Sequence, residues 1–435
     1  MAKPKQIMNF IRSETDLFSE PGYDLTLSSS HRVDYHPITN ISDRSTPLTF
    51  IIQGNDSQYI DFSETQLYIL CKIVNSKGGD RDATQNDTAP INNFLHSMFS
   101  QVAIYFNDTQ ITSPTSLYPY KAYLETLLSF GKEYTKTQAM AALYHKEADP
   151  TTIDEGWKTR EKLANSSKVF ELCGKLKTDI FNQNRFCIPG IDIKIVLYRA
   201  PDSFCLLSKA PTSGTAQDAA QLHIMEAKIV VQKHTLLPSI TMGHLRLMEK
   251  GLPACYPMRR GDMKSFSLSA GTLQYTNESL ITGLLPDRIV VGIVSSKAVH
   301  GHYNENPFNF IQADISSITV TVNSEQVTSQ TFELDFDNKK SIEAYFSVFS
   351  GLGLSNLDTG IELTFDNFKT GRTLYVFDLR HQHDGFAIPR HGSVKIEIKL
   401  RNATTTALTV LCHCDYQSVL FVDKNRHIYF KDYSM

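Results

Sequence analysis

Short apolar stretches, each bounded by Asn, Asp, Gly or Pro, recur along the whole chain. β-Branched and aromatic residues dominate them, and runs of this length and composition are typical of β-strands. In the last stretch, Lys395, Glu397 and Lys399 alternate with apolar residues, which predicts a sheet with one wet and one buried face. The predicted strands cover residues 48–53, 66–74, 101–106, 191–198, 287–294, 317–322, 372–377 and 394–400.

Two segments have helical rather than strand periodicity. Residues 119–128 begin with Pro and place their large apolar side chains on one face: Tyr120, Tyr123, Leu124, Leu127 and Leu128. Residues 340–349 do the same with a second apolar set: Ile342, Tyr345, Phe346 and Phe349. Between the elements lie long polar insertions, which we expect to project from one end of the fold: 75–92, 132–167 and 202–221.

One long pattern occurs twice in the same order. Residues 101–111 and 317–327 each contain an alternating strand that runs into Asn, two polar residues, Gln and a β-branched residue. Asn tolerates positive φ, so each copy predicts a β-hairpin, and one of the two helices follows each hairpin. Phe-x-Ile-Pro and a further strand then begin at Phe186 and again at Phe386. The offsets of 216 residues (107 to 323) and 200 residues (186 to 386) indicate tandem copies of one β domain.

The repeat predicts an all-β fold of two tandem eight-stranded jelly-roll β-sandwiches, with short helices and long loop insertions. A chain of 435 residues has room for two such domains. We divide it into an N-terminal arm (1–40), a first jelly roll (41–240), a linker (241–265), a second jelly roll (266–428) and a C-terminal tail (429–435).

Composition narrows the class of protein further. The 43 Lys and Arg against 46 Asp and Glu give a net charge of −3, which argues against a strong nucleic-acid site. No apolar run approaches the length of a membrane span or a signal peptide. The seven cysteines are an odd number spread through apolar segments, so we interpret them as reduced core thiols of a protein made in the cytosol.

Candidate chemistry is sparse. His381, His383 and Asp384 suggest a metal site, but without a further ligand set we favour a solvated turn or a subunit contact. In 412–414, Cys-His-Cys on a strand points the cysteines and the histidine to opposite faces, which favours buried thiols. His300 and His302 fit a contact surface better than a ligand pair. No nucleotide-binding loop, nucleophile elbow or His-Glu-x-x-His motif occurs, so we predict no enzymatic activity, catalytic residue, metal or cofactor.

Residues 96–111 and the helix 118–128 together resemble the major capsid proteins of Polinton/Maverick elements and adintoviruses, within the double jelly-roll lineage that includes adenovirus hexon. The close match covers about 90–130, and the tandem architecture extends it over about 40–425. The resemblance implies a structural protein of the virion, made in the host cytosol. It also implies pseudo-hexameric homotrimeric capsomers that tile an icosahedral shell, with neighbouring capsomers, penton and minor or cement capsid proteins as partners.

Two sets of residues are candidates for assembly contacts. We predict aromatic loop residues at trimer or capsomer contacts, where burial of aromatic side chains stabilises obligate interfaces: Tyr118, Tyr120, Trp157, Tyr303 and Phe308. The N-terminal arm is short, basic and apolar, and we predict that it orders on an inner protein or a neighbouring capsomer through Lys3, Lys5, Met8, Phe10 and Ile11. The basic cluster 259–264 fits an interdomain surface better than a contact with packaged genome.

Two other classes of protein share parts of this pattern. A tandem jelly-roll carbohydrate-binding or cupin-like protein needs a metal triad inside a barrel or an aromatic groove with paired carboxylates, and neither is evident in the sequence. Minor capsid or spike proteins of the same lineage are usually single jelly rolls, so the duplication argues against them.

Overall fold

The computed structural model describes residues 25–54, 57–82, 87–145, 147, 150, 153–208, 219–323, 325–336, 340–358, 360–380 and 389–430. The first half forms two four-stranded antiparallel sheets. One contains, in order across the sheet, β1 (Leu27–Tyr35), β10 (Gln221–Leu236), β3 (Gln58–Val74) and β7 (Phe170–Gly174). The other contains β2 (Leu48–Ile52), β8 (Ile193–Arg199), β5 (Phe99–Phe106) and β6 (Thr109–Gln110). A two-stranded ladder joins β4 (Thr88–Pro90) to β9 (Leu206–Ser208).

The second half repeats this arrangement. Its first sheet contains β11 (Ala254–Leu268), β18 (Leu408–Val422), β13 (Arg288–Ser295) and β16 (Leu374–Asp378), with β19 (Ile428–Phe430) added on β18. Its second sheet contains β12 (Gln274–Leu284), β17 (His391–Leu400), β14 (Ile315–Val322) and β15 (Glu325–Glu333). Strand by strand, this is the order of the first half, so the prediction of two tandem eight-stranded jelly rolls is confirmed.

The repeated Asn residues occupy equivalent turns in the two halves. Asn107 and Asp108 both have positive φ, 43° and 66°, as a two-residue hairpin between right-twisted strands requires, and Asn323 has φ 51°. Each Asn bonds to the strand that follows Phe-x-Ile-Pro: Asn107 Oδ1 accepts from the Asp192 N–H at 2.8 Å, and Asn323 Oδ1 accepts from the Ser393 N–H at 3.0 Å. One sequence motif therefore sets the same corner of both barrels.

Apolar side chains on alternate residues fill the space between the paired sheets. In the first barrel, Phe62 of β3 stacks on Phe106 of β5 with ring centroids 5.6 Å apart. In the second barrel, Phe332 of β15 packs on Phe377 of β16 at 5.2 Å. Burial of each such side chain contributes roughly 1.5–3 kcal/mol to folding. The alternation predicted for β17 is confirmed, since Ile396 and Ile398 are buried and Glu397 is not.

Short helices connect the strands. They are α1 (Phe94–Ser97), α2 (Tyr118–Ser129), α3 (Lys132–Lys136), α4 (Glu155–Ala164), α5 (Asp202–Cys205), α6 (Pro238–Glu249), α7 (Ser296–His300), α8 (Ile342–Leu352) and α9 (Phe365–Lys369). In the described ranges, 3-10 helices cover Gln138–Ala142, Asn165–Ser167 and Asp179–Asn182. Helix α2 buries all five side chains of its predicted apolar face: Tyr120, Tyr123, Leu124, Leu127 and Leu128.

Helix α8 differs from its prediction. It turns Ala344, Val348 and Gly351 toward β16, and it leaves Ile342 63% and Phe346 54% exposed. A Cβ atom at Gly351 would lie 2.5 Å from Val376 Cγ1, so only the small-residue face can approach the sheet this closely. An apolar helix face normally packs on the core, but Ile342 and Phe346 of the predicted apolar face do not.

Strand bounds also differ from the predicted division of the chain. β1 lies inside the stretch 1–40 that we assigned to an arm, because its backbone pairs with β10 from Leu27 to Tyr35. β11 begins at Ala254, inside the predicted linker 241–265, because it pairs along its whole length with β18. Helix α6 is the segment that joins the two barrels.

Candidate assembly surfaces

The two barrels meet at a cluster of aromatic side chains. Phe308, from the loop between α7 and β14, stacks on Tyr123 of α2 with ring centroids 4.2 Å and planes 4° apart. Tyr120 and Phe204 pack edge-on against the same Phe308 ring. All four rings are at most 6% exposed. Edge and stacked aromatic contacts of this kind add to the energy of burial, so they join the barrels firmly.

Buried charged groups extend this joint into the insertion 132–167. Arg160 of α4 pairs with Glu147 at 2.5 Å, and both side chains are at most 4% exposed. From the second half, Arg372 donates to the Glu147 carbonyl at 3.0 Å, and Asn306 Nδ2 donates to its carboxylate at 3.3 Å. The insertion was expected to project away from the fold. Instead, the second barrel donates hydrogen bonds to both the backbone carbonyl and the carboxylate of Glu147, and a buried carboxylate without partners would be costly.

A third contact between the halves involves β11. Lys121 of α2 pairs with Asp179 at 2.6 Å, and a Cβ atom at Gly261 would lie 3.0 Å from Lys121 Cε. Beside Gly261, Asp262 accepts a hydrogen bond from Ser113 Oγ at 2.5 Å. Little space remains for a side chain at Gly261, which faces His413 of its own barrel as well as Lys121 of the first barrel. The basic cluster 259–264 lies on the strand that makes this contact.

The Cys-His-Cys segment 412–414 lies within β18 and is buried at all three residues. Burial raises the pKa of Cys412 to about 12, which leaves its thiol protonated and unreactive. Burial lowers the pKa of His413, so this imidazole stays neutral. Burial would raise the pKa of Asp415, but the charge of Arg288 and its hydrogen bond to this carboxylate hold the pKa below its usual value. The segment is a packed strand of buried thiols, as predicted.

His96 is a buried histidine at the core of the first barrel. Its Nδ1 lies 2.9 Å from the Tyr118 hydroxyl, whose oxygen accepts the Lys177 backbone N–H at 3.1 Å. Burial, together with the nearby Lys177 charge, lowers the pKa of His96 to about 3. The imidazole is therefore neutral in the folded chain over the whole range in which a free histidine titrates.

We expect folding stability to fall as pH falls through the histidine range. Below pH 6.5 the unfolded chain binds a proton at residue 96 that the folded chain does not, so acid favours unfolding. Between pH 6.5 and 5 this group alone costs about 2 kcal/mol of unfolding free energy. Urea titrations at the two pH values should show that His96→Gln removes this loss. The exposed His300 provides the control, since His300→Gln should leave the pH dependence unchanged; an unchanged dependence in His96→Gln would contradict the assignment.

The structure corrects four of the five predicted subunit contacts. Tyr118, Tyr120, Trp157 and Phe308 are at most 4% exposed within a single chain, so their rings have no surface to offer another chain. They pack where the insertion 132–167, helix α2 and the two barrels meet. Tyr303 is partly exposed, and its hydroxyl donates to the Ala220 carbonyl at 3.1 Å; its role at a contact between chains stays a prediction. The arm residues Lys3, Lys5, Met8, Phe10 and Ile11 lie outside the described residues.

Two apolar surfaces on helices were missed. One is the outer face of α8, with Ile342 and Phe346. The other is α6, which exposes Met242, Leu245 and Leu247 and is followed by the exposed Leu252. A sequence signal for α6 existed, since Pro238 begins an apolar-periodic run that ends before Gly251. Exposed apolar patches of this kind mark sites of interaction.

Other candidate chemistry can be placed only in part. Within the described ranges, no three His, Cys, Asp or Glu side chains come together in an arrangement that could hold a metal ion. The stretch 381–384 lies outside those ranges. Of the helices in the described part of the chain, none has the length and apolar character to span a bilayer. The seven cysteines are free thiols, and Cys173 and Cys255 are the two that are partly exposed.

Comparison with known proteins supports the fold. No family model matches the chain. An uncharacterized protein of Caenorhabditis elegans is 23% identical over 409 residues, which cover 90% of this chain and 94% of that protein.

Solved structures resemble the chain over nearly its whole length. A chain of the Sputnik virophage, solved by cryo-EM, matches with a TM-score of 0.64 and 10% identity, covering 100% of this chain and 95% of that one. The mavirus major capsid protein matches at 0.54 and 11% identity, covering 99% and 95%. The faustovirus major capsid protein matches at 0.54 and 8% identity, covering 93% and 92%. At such identities the likeness shows the fold, and the chain is a double jelly roll.

Proposed function

We propose that the chain is a structural major capsid protein that forms pseudo-hexameric homotrimers and tiles an icosahedral shell. One observation carries the proposal: both barrels are complete, equivalent in strand order and joined by a buried aromatic and charged interface. Two rigid barrels in one chain give three chains a six-part outline, which is the geometry a hexagonal lattice needs. The full-length likeness to the mavirus and faustovirus major capsid proteins supports the same role.

We further propose that the chain belongs to the Polinton/Maverick and adintovirus branch of this lineage. The segments 96–111 and 118–128, which carry the resemblance, form the hairpin and α2 at the joint between the barrels. Expected partners are neighbouring capsomers and the penton and minor or cement proteins of a virion.

The oligomeric state tests the proposal. Three chains of 49.1 kDa should give a native mass of about 147 kDa, and negative-stain images should show particles with a hexagonal outline. An obligate trimer should persist at nanomolar concentration, because interfaces of this class bury several thousand Å² of mostly apolar surface. A chain that stays monomeric at micromolar concentration would contradict the proposal.

The exposed face of α8 gives this experiment a sharper form. Phe346→Ser removes the exposed aromatic ring of that face and should raise the trimer dissociation constant at least about tenfold if α8 lies in the contact. Leu273, which is 54% exposed and directly precedes β12, provides a matched control through Leu273→Ser. A trimer that tolerates both substitutions equally would place the contact elsewhere.

A further inference from the structure

A groove of about 460 Å³ lies beside α6, the helix that joins the two barrels. Its volume is in the range of pockets that hold a ligand or a peptide side chain. The lining is largely apolar and comes from α6, the residues that flank it at the end of β10 and the start of β11, and the segment that precedes β8. Its apolar residues include Ile188, Leu236, Leu247, Met248, Leu252 and Tyr256. We call this surface the α6 groove.

Helix α6 exposes more apolar surface than a connecting helix needs. Within α6, all of which is described, Met248 is the one buried residue. Met242 is 51% exposed, Leu247 is 49% exposed, and Leu252 just beyond the helix is 56% exposed. Apolar side chains adjoining an apolar groove form a continuous docking surface.

The N-terminal part of the chain enters the fold at the rim of this groove. β1 begins at Leu27, which is paired with Leu236 in the lining of the groove. The Thr26 carbonyl accepts the Leu237 backbone N–H at 3.0 Å, directly before α6. Residues that precede Leu25 therefore start from the groove, and the first 24 residues lie outside the described ranges.

The charge of that segment is complementary to the charge of the groove. Residues 13–24 contain four carboxylates and no Lys or Arg, with the adjacent apolar pair Leu17 and Phe18 between them. The groove is lined by Arg185, and α6 and the residue after it carry the exposed Arg246 and Lys250 against Glu249. Opposite charge around an apolar centre favours one register of docking.

We propose that residues 13–24 fold back onto the α6 groove of the same chain, with Leu17 and Phe18 as apolar anchors. The seven residues from Phe18 to Leu25 span up to about 23 Å when extended. The 12 residues of α6 are roughly 18 Å long. The tether therefore reaches every part of the helix. The docked segment covers apolar surface that the folded chain otherwise leaves in water.

Two natural cysteines give a direct test in the full-length chain. Cys255 lines the groove and is partly exposed, whereas Cys173 is partly exposed on β7. Docking shields Cys255 from a soluble alkylating reagent. The variant Leu17→Ser/Phe18→Ser should raise the alkylation rate of Cys255 about tenfold, as measured by peptide mass spectrometry. The rate at Cys173 should not change.

A second apolar pair, Ile7 and Met8, lies outside the proposed segment and supplies the matched control. Ile7→Ser/Met8→Ser should leave the Cys255 rate at its natural value. An unchanged rate in the Leu17/Phe18 variant overturns the proposal. So does an equal rise in the control.

A cross-link identifies which chain supplies the segment. After oxidation with diamide, which accepts the two electrons and two protons, Phe18→Cys should form a disulfide with Cys255 within one chain, so that the product migrates as a monomer on a non-reducing gel. The additional change Cys255→Ser should abolish that product. A disulfide-linked dimer would instead assign the groove to the segment of a second copy and overturn docking within the chain. Native mass spectrometry that finds a bound apolar small molecule would overturn it as well.

Discussion

Arg160→Met should lower the free energy of unfolding by about 3–5 kcal/mol, because it leaves the Glu147 carboxylate buried without its partner. The pair is nearly inaccessible to solvent, and Arg160 Nε also donates to the Pro90 carbonyl at 2.8 Å. Trp157, the chain's single tryptophan, lies on the same helix and is 2% exposed, so its fluorescence in a guanidinium titration reports unfolding of this region.

The same helix provides the control for this prediction. Lys158 pairs with Glu155 at 2.6 Å on the exposed side of α4. Lys158→Met should therefore leave the unfolding free energy essentially unchanged, because water screens this exposed pair. The double variant Arg160→Met/Glu147→Leu should recover part of the loss, since it removes both buried charges. A single-variant loss below about 1 kcal/mol would mean that water reaches the pair.

Local pattern predicted the strands whose two faces differ. In segments such as 394–400, apolar and polar residues alternate because one side of the strand packs on the core and the other meets water. That alternation is visible in the sequence. The Asn residues of the two hairpins could also be predicted from the sequence, since few residue types tolerate the positive φ of that turn. The repeat then added what no single segment could show, namely that the two halves share one topology.

Strand β1 had no comparable signal. Its sequence, Leu-Ser-Ser-Ser-His-Arg-Val-Asp-Tyr, is exposed or half-buried throughout, so neither face carries an apolar pattern. It is a strand because its backbone pairs with β10, about 200 residues later in the chain. Such long-range pairing depends on tertiary structure, and propensity cannot reveal it. The predicted arm was too long for this reason.

Aromatic residues were assigned to the wrong interface for a related reason. Periodicity identified Tyr120 as part of an apolar helix face, but a face that packs on a second barrel has the same pattern as one that packs on a second chain. In α8 the error was the opposite one: the large side chains face out, because contact with β16 requires the small residues Ala344 and Gly351. Size at the contact, rather than hydrophobicity, decided which face was buried.

Phe308→Ala should cost about 3–5 kcal/mol of unfolding free energy, the range for removing a buried aromatic ring. The ring is fully buried, stacks on Tyr123 and supports the edges of Tyr120 and Phe204. Removal of the ring would leave a cavity where the two barrels meet. The barrels would then share less contact, so they should unfold less cooperatively. Calorimetry should show a lower midpoint and a broader transition, or two transitions in place of one.

Tyr198 provides the control, because it is an aromatic side chain on β8 that is 38% exposed and is not one of the rings that pack on Phe308. Tyr198→Ala should stay within about 0.5 kcal/mol of the natural chain and keep its single transition. If Phe308→Ala lowers stability but leaves one sharp transition, the barrels are held together mainly by the Arg160, Glu147 and Arg372 contacts. A loss below about 1 kcal/mol would contradict the aromatic joint itself, because a cavity of that size inside a packed core cannot be free of cost.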